Sequence, residues 1–139
     1  MKVICAGLSK TGTKSMNEAL SILGYKVYDL LENFEIFGKE WRKIFDGKAG
    51  VEEIRAMYKD IDAAMDVPIY SFWEMILEAF PDAKVILTVR DDEDKFCESM
   101  KTQLRKNNQI FKFLTLFSPT LRRFLNFCED AGRCFIFFN

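Results

Sequence analysis

The residues best placed to do chemistry together stand near the start of the chain. From Gly7 to Ser15 the sequence reads Gly-Leu-Ser-Lys-Thr-Gly-Thr-Lys-Ser. Gly7 and Gly12 permit turns that a Cβ would obstruct. Thr11, Thr13 and Ser15 bring hydroxyls, and Lys10 and Lys14 bring positive charge. A strand that ends in such a turn and feeds a helix aims several backbone N–H groups at one point, where the helix dipole adds partial positive charge. The chemistry on offer is capture of a phosphate-bearing anion.

The spacing departs from two common phosphate motifs. The Walker A pattern needs Gly, four residues, then Gly-Lys-Ser/Thr; here Thr13 stands between Gly12 and Lys14, so the lysine slips by one place. The dinucleotide fingerprint G-x-G-x-x-G is absent. Histidine is absent too, which removes the commonest general base and the commonest metal ligand. Net charge is −1, so no broad basic field exists for nucleic acid or an anionic membrane, and an anion must be held locally.

The elements that must position the loop follow from hydropathy. Lys2–Ala6 reads as a short strand, and Met16, Ala19, Leu20 and Leu23 form the apolar stripe of a helix that Gly24 stops. Tyr25–Tyr28 reads as a second strand, completing a βαβ unit. Helices are expected at Phe34–Phe45 and Val51–Tyr58, and another along Ile69, Phe72, Trp73, Ile76, Leu77 and Phe80. Lys84–Val89 has the β-branched, nearly unbroken apolar pattern of a buried parallel strand, with Arg90 at its carboxyl end. A helix then starts at Asp91 or Asp92, its acids suiting the helix dipole.

The composition is that of one soluble α/β domain spanning residues 1–139. Cys5, Cys97, Cys128 and Cys134 form no C-x-x-C pair and read as reduced thiols of a cytoplasmic protein. No segment reads as a signal peptide or a membrane span. Residues 110–139 are atypically rich in phenylalanine and stop on Cys-Phe-Ile-Phe-Phe-Asn. So apolar an end implies missing structure and a domain truncated at its C-terminal side.

The tetrad Lys10-Thr11-Gly12-Thr13 resembles the 5′-phosphosulfate loop of sulfotransferases, whose core reads Lys-Ser/Thr-Gly-Thr. Lys84–Arg90, with Ser99 in the next helix, resembles the family's second nucleotide element, which holds the 3′-phosphate of the donor. Asp66-Val67-Pro68 falls where cytosolic sulfotransferases carry a His-x-Pro segment with the base. The phrases GLSKTGTKS, EALSILGYKVYD, MDVP and FPDAKVILTVRD together resemble a divergent family of stand-alone sulfotransferase-like P-loop domains, over about the first hundred residues. Arg90 and Ser99 stand nine apart, one more than the family pattern, and Asp91–Asp94 crowds carboxylates beside them.

The resemblance implies a P-loop-containing three-layer α/β/α fold with a parallel sheet. It also implies 3′-phosphoadenosine 5′-phosphosulfate as donor, no metal, and a small-molecule or glycan acceptor with a hydroxyl or amine. Lys10 would bind the 5′-phosphate and neutralise the leaving group, with Thr11, Gly12, Thr13 and Lys14 around it. Arg90 and Ser99 would take the 3′-phosphate, and Asp66 would be the base. A carboxylate serves as base well only where its surroundings raise its proton affinity. Each residue also has a plain reading: Asp66 as a turn or cap before Pro68, Arg90 as a structural ion pair, Phe72 and Trp73 as core. Two other functions stay open, a P-loop nucleotide or small-molecule kinase and a non-catalytic nucleotide-binding or interaction module.

Overall fold

The computed structural model describes residues 1–106 and 114–138. Four short strands form one parallel sheet: β1 (Val3–Cys5), β2 (Val27–Tyr28), β3 (Ala63–Met65) and β4 (Lys84–Ile86), in the order β2-β3-β1-β4. Alternation along the strands sends side chains to both faces, as strand geometry requires. Val3, Cys5, Ala63 and Met65 pack with Leu20 and Met16 of α1 (Thr13–Ile22) on one side. Ile4 and Ala64 face the opposite way, into the larger core. That core is closed by α3 (Gly38–Phe45), α4 (Val51–Tyr58), α5 (Trp73–Ala79) and α7 (Pro119–Phe138). The architecture is therefore helix, sheet, helix, an α/β fold in three layers.

The connections explain where a site can form. The chain leaves β1 through α1 on one face, and leaves β3 through α5 on the other. In open parallel sheets the crevice lies at the carboxyl ends of strands whose connections part in this way. Here those ends are Gly7–Gly12 after β1 and Asp66–Pro68 after β3.

Several expectations need correction. The helix expected over Phe34–Phe45 is two helices, α2 (Leu30–Glu35) and α3, broken at Ile36 and Phe37, where Phe37 leaves helical geometry (φ −111, ψ 12). The stripe from Ile69 to Phe80 opens as a 3₁₀ turn (Ile69–Ser71) and resumes as α5 after Phe72. Hydrogen bonds from Tyr70 N to the Asp66 carbonyl and from Ser71 N to the Pro68 carbonyl tighten that turn. Lys84–Val89 is not a buried strand: it pairs only through Ile86, at the sheet edge, leaving Leu87 and Val89 67% and 72% exposed. The sequence reading missed β3 altogether. Ala63-Ala64-Met65 lacks β-branched residues, yet it is the strand between β2 and β1 and is fully buried, where small side chains admit helices on both faces.

Of the Phe-rich end, Phe111 and Phe113 lie outside the described residues. In α7 the face bearing Phe124, Phe127 and Ala131 packs inward. Phe127 meets the rings of Phe34 and Phe45 at 5.6 Å each, and Phe34 meets Phe124 edge-on at 5.2 Å. Ser71 Oγ donates to the Ala131 carbonyl at 3.4 Å. Phe72 is core, its ring 5.4 Å from that of Trp41. Among the described residues no helix is long and apolar enough to cross a membrane.

A buried polar chain pins three helices together. Trp41 Nε1 donates to Tyr58 Oη at 3.0 Å, and Tyr58 Oη donates to Asn33 Oδ1 in a short contact. All three residues are fully buried, so each bond spares a desolvated group. Tyr58→Phe leaves the Trp41 N–H and the Asn33 carbonyl unpaired and lowers stability by about 2–4 kcal/mol in chemical denaturation; a loss below about 0.5 kcal/mol contradicts this reading.

Buried thiols add a pH dependence. Desolvation raises Cys5 and Cys128 from 9.0 to about 11. Both thiols are protonated in folded and unfolded chains below that lower value, so their effect on stability is constant there. Between it and about 11 only the unfolded chain ionises. Stability therefore falls as pH climbs through this window. Cys5→Ala makes the decline shallower, measured as denaturation midpoints at successive pH values.

Candidate functional site

The loop after β1 is held from three sides. Gly7 lies so close to Thr88, just past β4, that a Cβ there would stand 1.9 Å from Thr88 Oγ1 and 2.7 Å from its carbonyl oxygen. Thr11 Oγ1 donates to the Leu8 carbonyl at 2.6 Å and lies 2.8 Å from Thr88 Oγ1. Arg90 Nη1 donates to the Lys10 carbonyl at 3.3 Å. Lys10 and Gly12 both have positive φ, 72° and 99°. Glycine enters that region freely, whereas the lysine must be held there by its surroundings.

Asp66 provides the third hold. Its backbone is also left-handed (φ 60°) and its side chain is buried. Ser9 Oγ donates to Asp66 Oδ1 at 2.5 Å, Val67 N donates to the same oxygen at 2.8 Å, and Thr13 Oγ1 donates to Oδ2 at 3.2 Å. A buried carboxylate is tolerated because these donors replace water. Thr13 is the first residue of α1, yet its hydroxyl turns inward, and α1 begins with no side-chain cap and no acid in its first turn. The first N–H groups of an uncapped helix lack intrahelical partners and point toward solvent.

The two lysines part company. Lys14 Nζ pairs with the buried Asp29 at 2.7 Å, and this hydrogen bond raises its proton affinity despite partial desolvation. Asp29 also accepts from Asn17 Nδ2 at 3.3 Å and from Leu30 N at 2.7 Å, while its own N–H donates to Glu32. It caps α2 and ties that helix to α1. Lys10 is exposed and pairs with no acid among the described residues.

The fold thus gathers Lys10, Thr11, Gly12, Thr13, Asp66 and Arg90 at one strand-end crevice. Lys14 joins from α1 but is turned to Asp29. Ser99 lies half-buried on α6 (Glu93–Lys106), and no described hydrogen bond ties it to the loop. Arg90 also approaches Asp91, Nε to Oδ1 at 3.8 Å. Beside the loop runs a groove of about 350 Å³ between Leu8, Thr11, Thr88, Arg90 and Phe96. Sequence reasoning missed Ser9, Asp29 and Thr88. Only Asp29 left a trace, the Asp-x-x-Glu spacing to Glu32 that marks a capped helix start.

Gly7→Ala forces its new methyl against Thr88 and destabilises the chain by about 1–3 kcal/mol. Adding Thr88→Ala restores part of the loss in thermal unfolding, because the carbonyl contact at 2.7 Å persists. Full stability of Gly7→Ala alone would disprove the tight approach.

Similarity to known proteins agrees with this arrangement. The chain matches the sulfotransferase domain family over residues 2–136, so the match extends beyond the first hundred residues and into α7. It is 34% identical over 113 residues to the Ava biosynthesis cluster protein M of Aspergillus versicolor. That alignment covers 75% of this chain and 43% of the relative, so the chain spans less than half the relative's length. With its three-layer α/β fold and its family match over residues 2–136, the chain belongs to the sulfotransferase domain family.

Proposed function

We propose that the Gly7–Thr13 loop is a P-loop that binds 3′-phosphoadenosine 5′-phosphosulfate, and that the chain serves sulfuryl transfer to a hydroxyl or amine acceptor. The observation that carries this reading is the uncapped start of α1. Gly12 at the N-cap has no side chain and the hydroxyls of Thr13 and Ser9 are held by Asp66, which leaves the amides of Gly12, Thr13 and Lys14 for an anion. Lys10 stands at the same turn and pairs with no acid among the described residues. The donor residues therefore suit a phosphate group.

When bound, the donor supplies a sulfuryl group on a phosphate leaving group, so the acceptor gains a bond to sulfur as the phosphate–sulfate bond breaks. Lys10 and the α1 amides neutralise charge gathering on the 5′-phosphate. Arg90, at the groove beside the loop, takes the 3′-phosphate, with Ser99 as its partner on α6. Lys14, already held by Asp29, supports the loop from behind. Asp66 uses three of the roughly four acceptor positions of a carboxylate on Ser9, Thr13 and Val67. The remaining position, on Oδ2, is the one assigned to the acceptor's proton. The four free thiols fit a cytoplasmic setting.

Calorimetry with adenosine 3′,5′-bisphosphate in the absence of Mg²⁺ tests the binding. Lys10→Ala and Arg90→Ala each weaken it by at least about tenfold. Binding only of ATP, and only with Mg²⁺, would point to a kinase, and binding of neither to a non-catalytic module. Transfer of labelled sulfate to a panel of acceptors tests turnover. If Asp66 takes the proton, Asp66→Asn, whose amide oxygen still accepts from Ser9 and Val67, lowers kcat by more than it weakens bisphosphate binding. Unchanged turnover in that variant removes the base assignment.

A further inference from the structure

A second cleft, sharing no residue with the groove beside the loop, opens between α2, α3 and α7. Its volume is about 500 Å³, within the range of small-molecule pockets. Lys39 and Arg42 project from α3 and Arg123 from α7, all exposed, while Phe34 and the buried Phe127 line the apolar side. No described ion pair or hydrogen bond engages the side chains of these three cations. Among the described residues no acid lines the cleft; Glu40, next to Lys39, lies outside the lining, and Asp46 at the end of α3 is close enough to Arg42 to feel its charge. The chain as a whole carries −1, so this grouping is a local excess of positive charge. The first turn of α3, Gly38 and Lys39, forms part of the wall, and α3 has no side-chain cap. Its free N–H groups add to the same field.

Cations with no described ion pair on one wall and phenylalanine rings on another select a ligand with two ends. We propose that this cleft is a second binding site, for an amphiphilic organic anion: a ring-sized apolar body carrying one carboxylate, sulfonate or sulfate. The apolar body rests on Phe34 and Phe127, and the anionic group meets Arg42, Arg123 and Lys39. Arginine's planar fork suits such oxyanions. The proposal stands apart from the donor reading, because the two sites share no side chain.

The test is calorimetry of the full chain with 2-naphthalenesulfonate as probe. Wild type binds it, and Arg42→Gln combined with Arg123→Gln weakens binding by at least about tenfold. Arg42→Lys combined with Arg123→Lys keeps the charge and retains affinity within about threefold to tenfold, which guards against a mere folding defect. Neutral 2-naphthalenemethanol binds at least about tenfold more weakly than the sulfonate, and inorganic sulfate more weakly still. Lys10→Ala leaves sulfonate binding unchanged, separating this site from the loop. No binding to wild type, equal affinity in the glutamine variant, equal binding of inorganic sulfate, or loss in Lys10→Ala each overturns the proposal.

Discussion

A single buried carboxylate organises the candidate site. Asp66 sits at the carboxyl end of β3 with a left-handed backbone, and draws Ser9, Thr13 and the Val67 amide onto its two oxygens. A desolvated charge without such partners would cost several kcal/mol, so the carboxylate and the loop hold each other in place. The consequence reaches outward. The N-cap of α1 is Gly12, which has no side chain, and the nearby hydroxyls of Ser9 and Thr13 are bound to Asp66, so the helix start carries no side-chain cap. Thr88 against Gly7 and Arg90 on the Lys10 carbonyl close the loop from the β4 side. The carboxyl ends of β1, β3 and β4 thus meet around one turn.

The same economy separates the two loop lysines. Asp29 is also buried, and it receives Lys14, Asn17 and the start of α2 at once. Lys14 therefore works as a strut between α1 and α2, while Lys10, at positive φ, is exposed and pairs with no acid among the described residues. One residue of slip from Walker register brings this about: with Thr13 between Gly12 and Lys14, the lysine falls one position along α1 and meets Asp29.

Legibility in the sequence followed the range of the forces involved. The glycine loop and α1 were readable because their signals are local: turn residues, an apolar stripe and a stop at Gly24. Helix α4 matched its expected span of Val51–Tyr58 for the same reason. Long-range partners left no such signal. Ser9 and Asp66 are 57 residues apart, and Thr11 and Thr88 are 77 apart, so nothing near either residue announces the pair. Strand β3 was hidden because burial on both faces favours small residues, and Ala-Ala-Met carries little strand propensity. The apolar run after Lys84 misled in the opposite sense: its hydrophobicity is real, yet the sheet ends there and leaves Leu87 and Val89 exposed. The breaks at Phe37 and Phe72 were equally invisible, since both aromatics fit the apolar stripes around them.

The central proposal is that Asp66, by holding Ser9 and Thr13, sets the loop so that the uncapped amides of the α1 start meet an anion. Hydrogen–deuterium exchange at Gly12, Thr13 and Lys14, measured while adenosine 3′,5′-bisphosphate is added, tests it most directly. The account predicts that the ligand slows exchange at these amides in the wild-type chain. It also predicts that Asp66→Ala, in a chain that still folds, loses this protection. Equal protection in the variant, or none in the wild type, would contradict it.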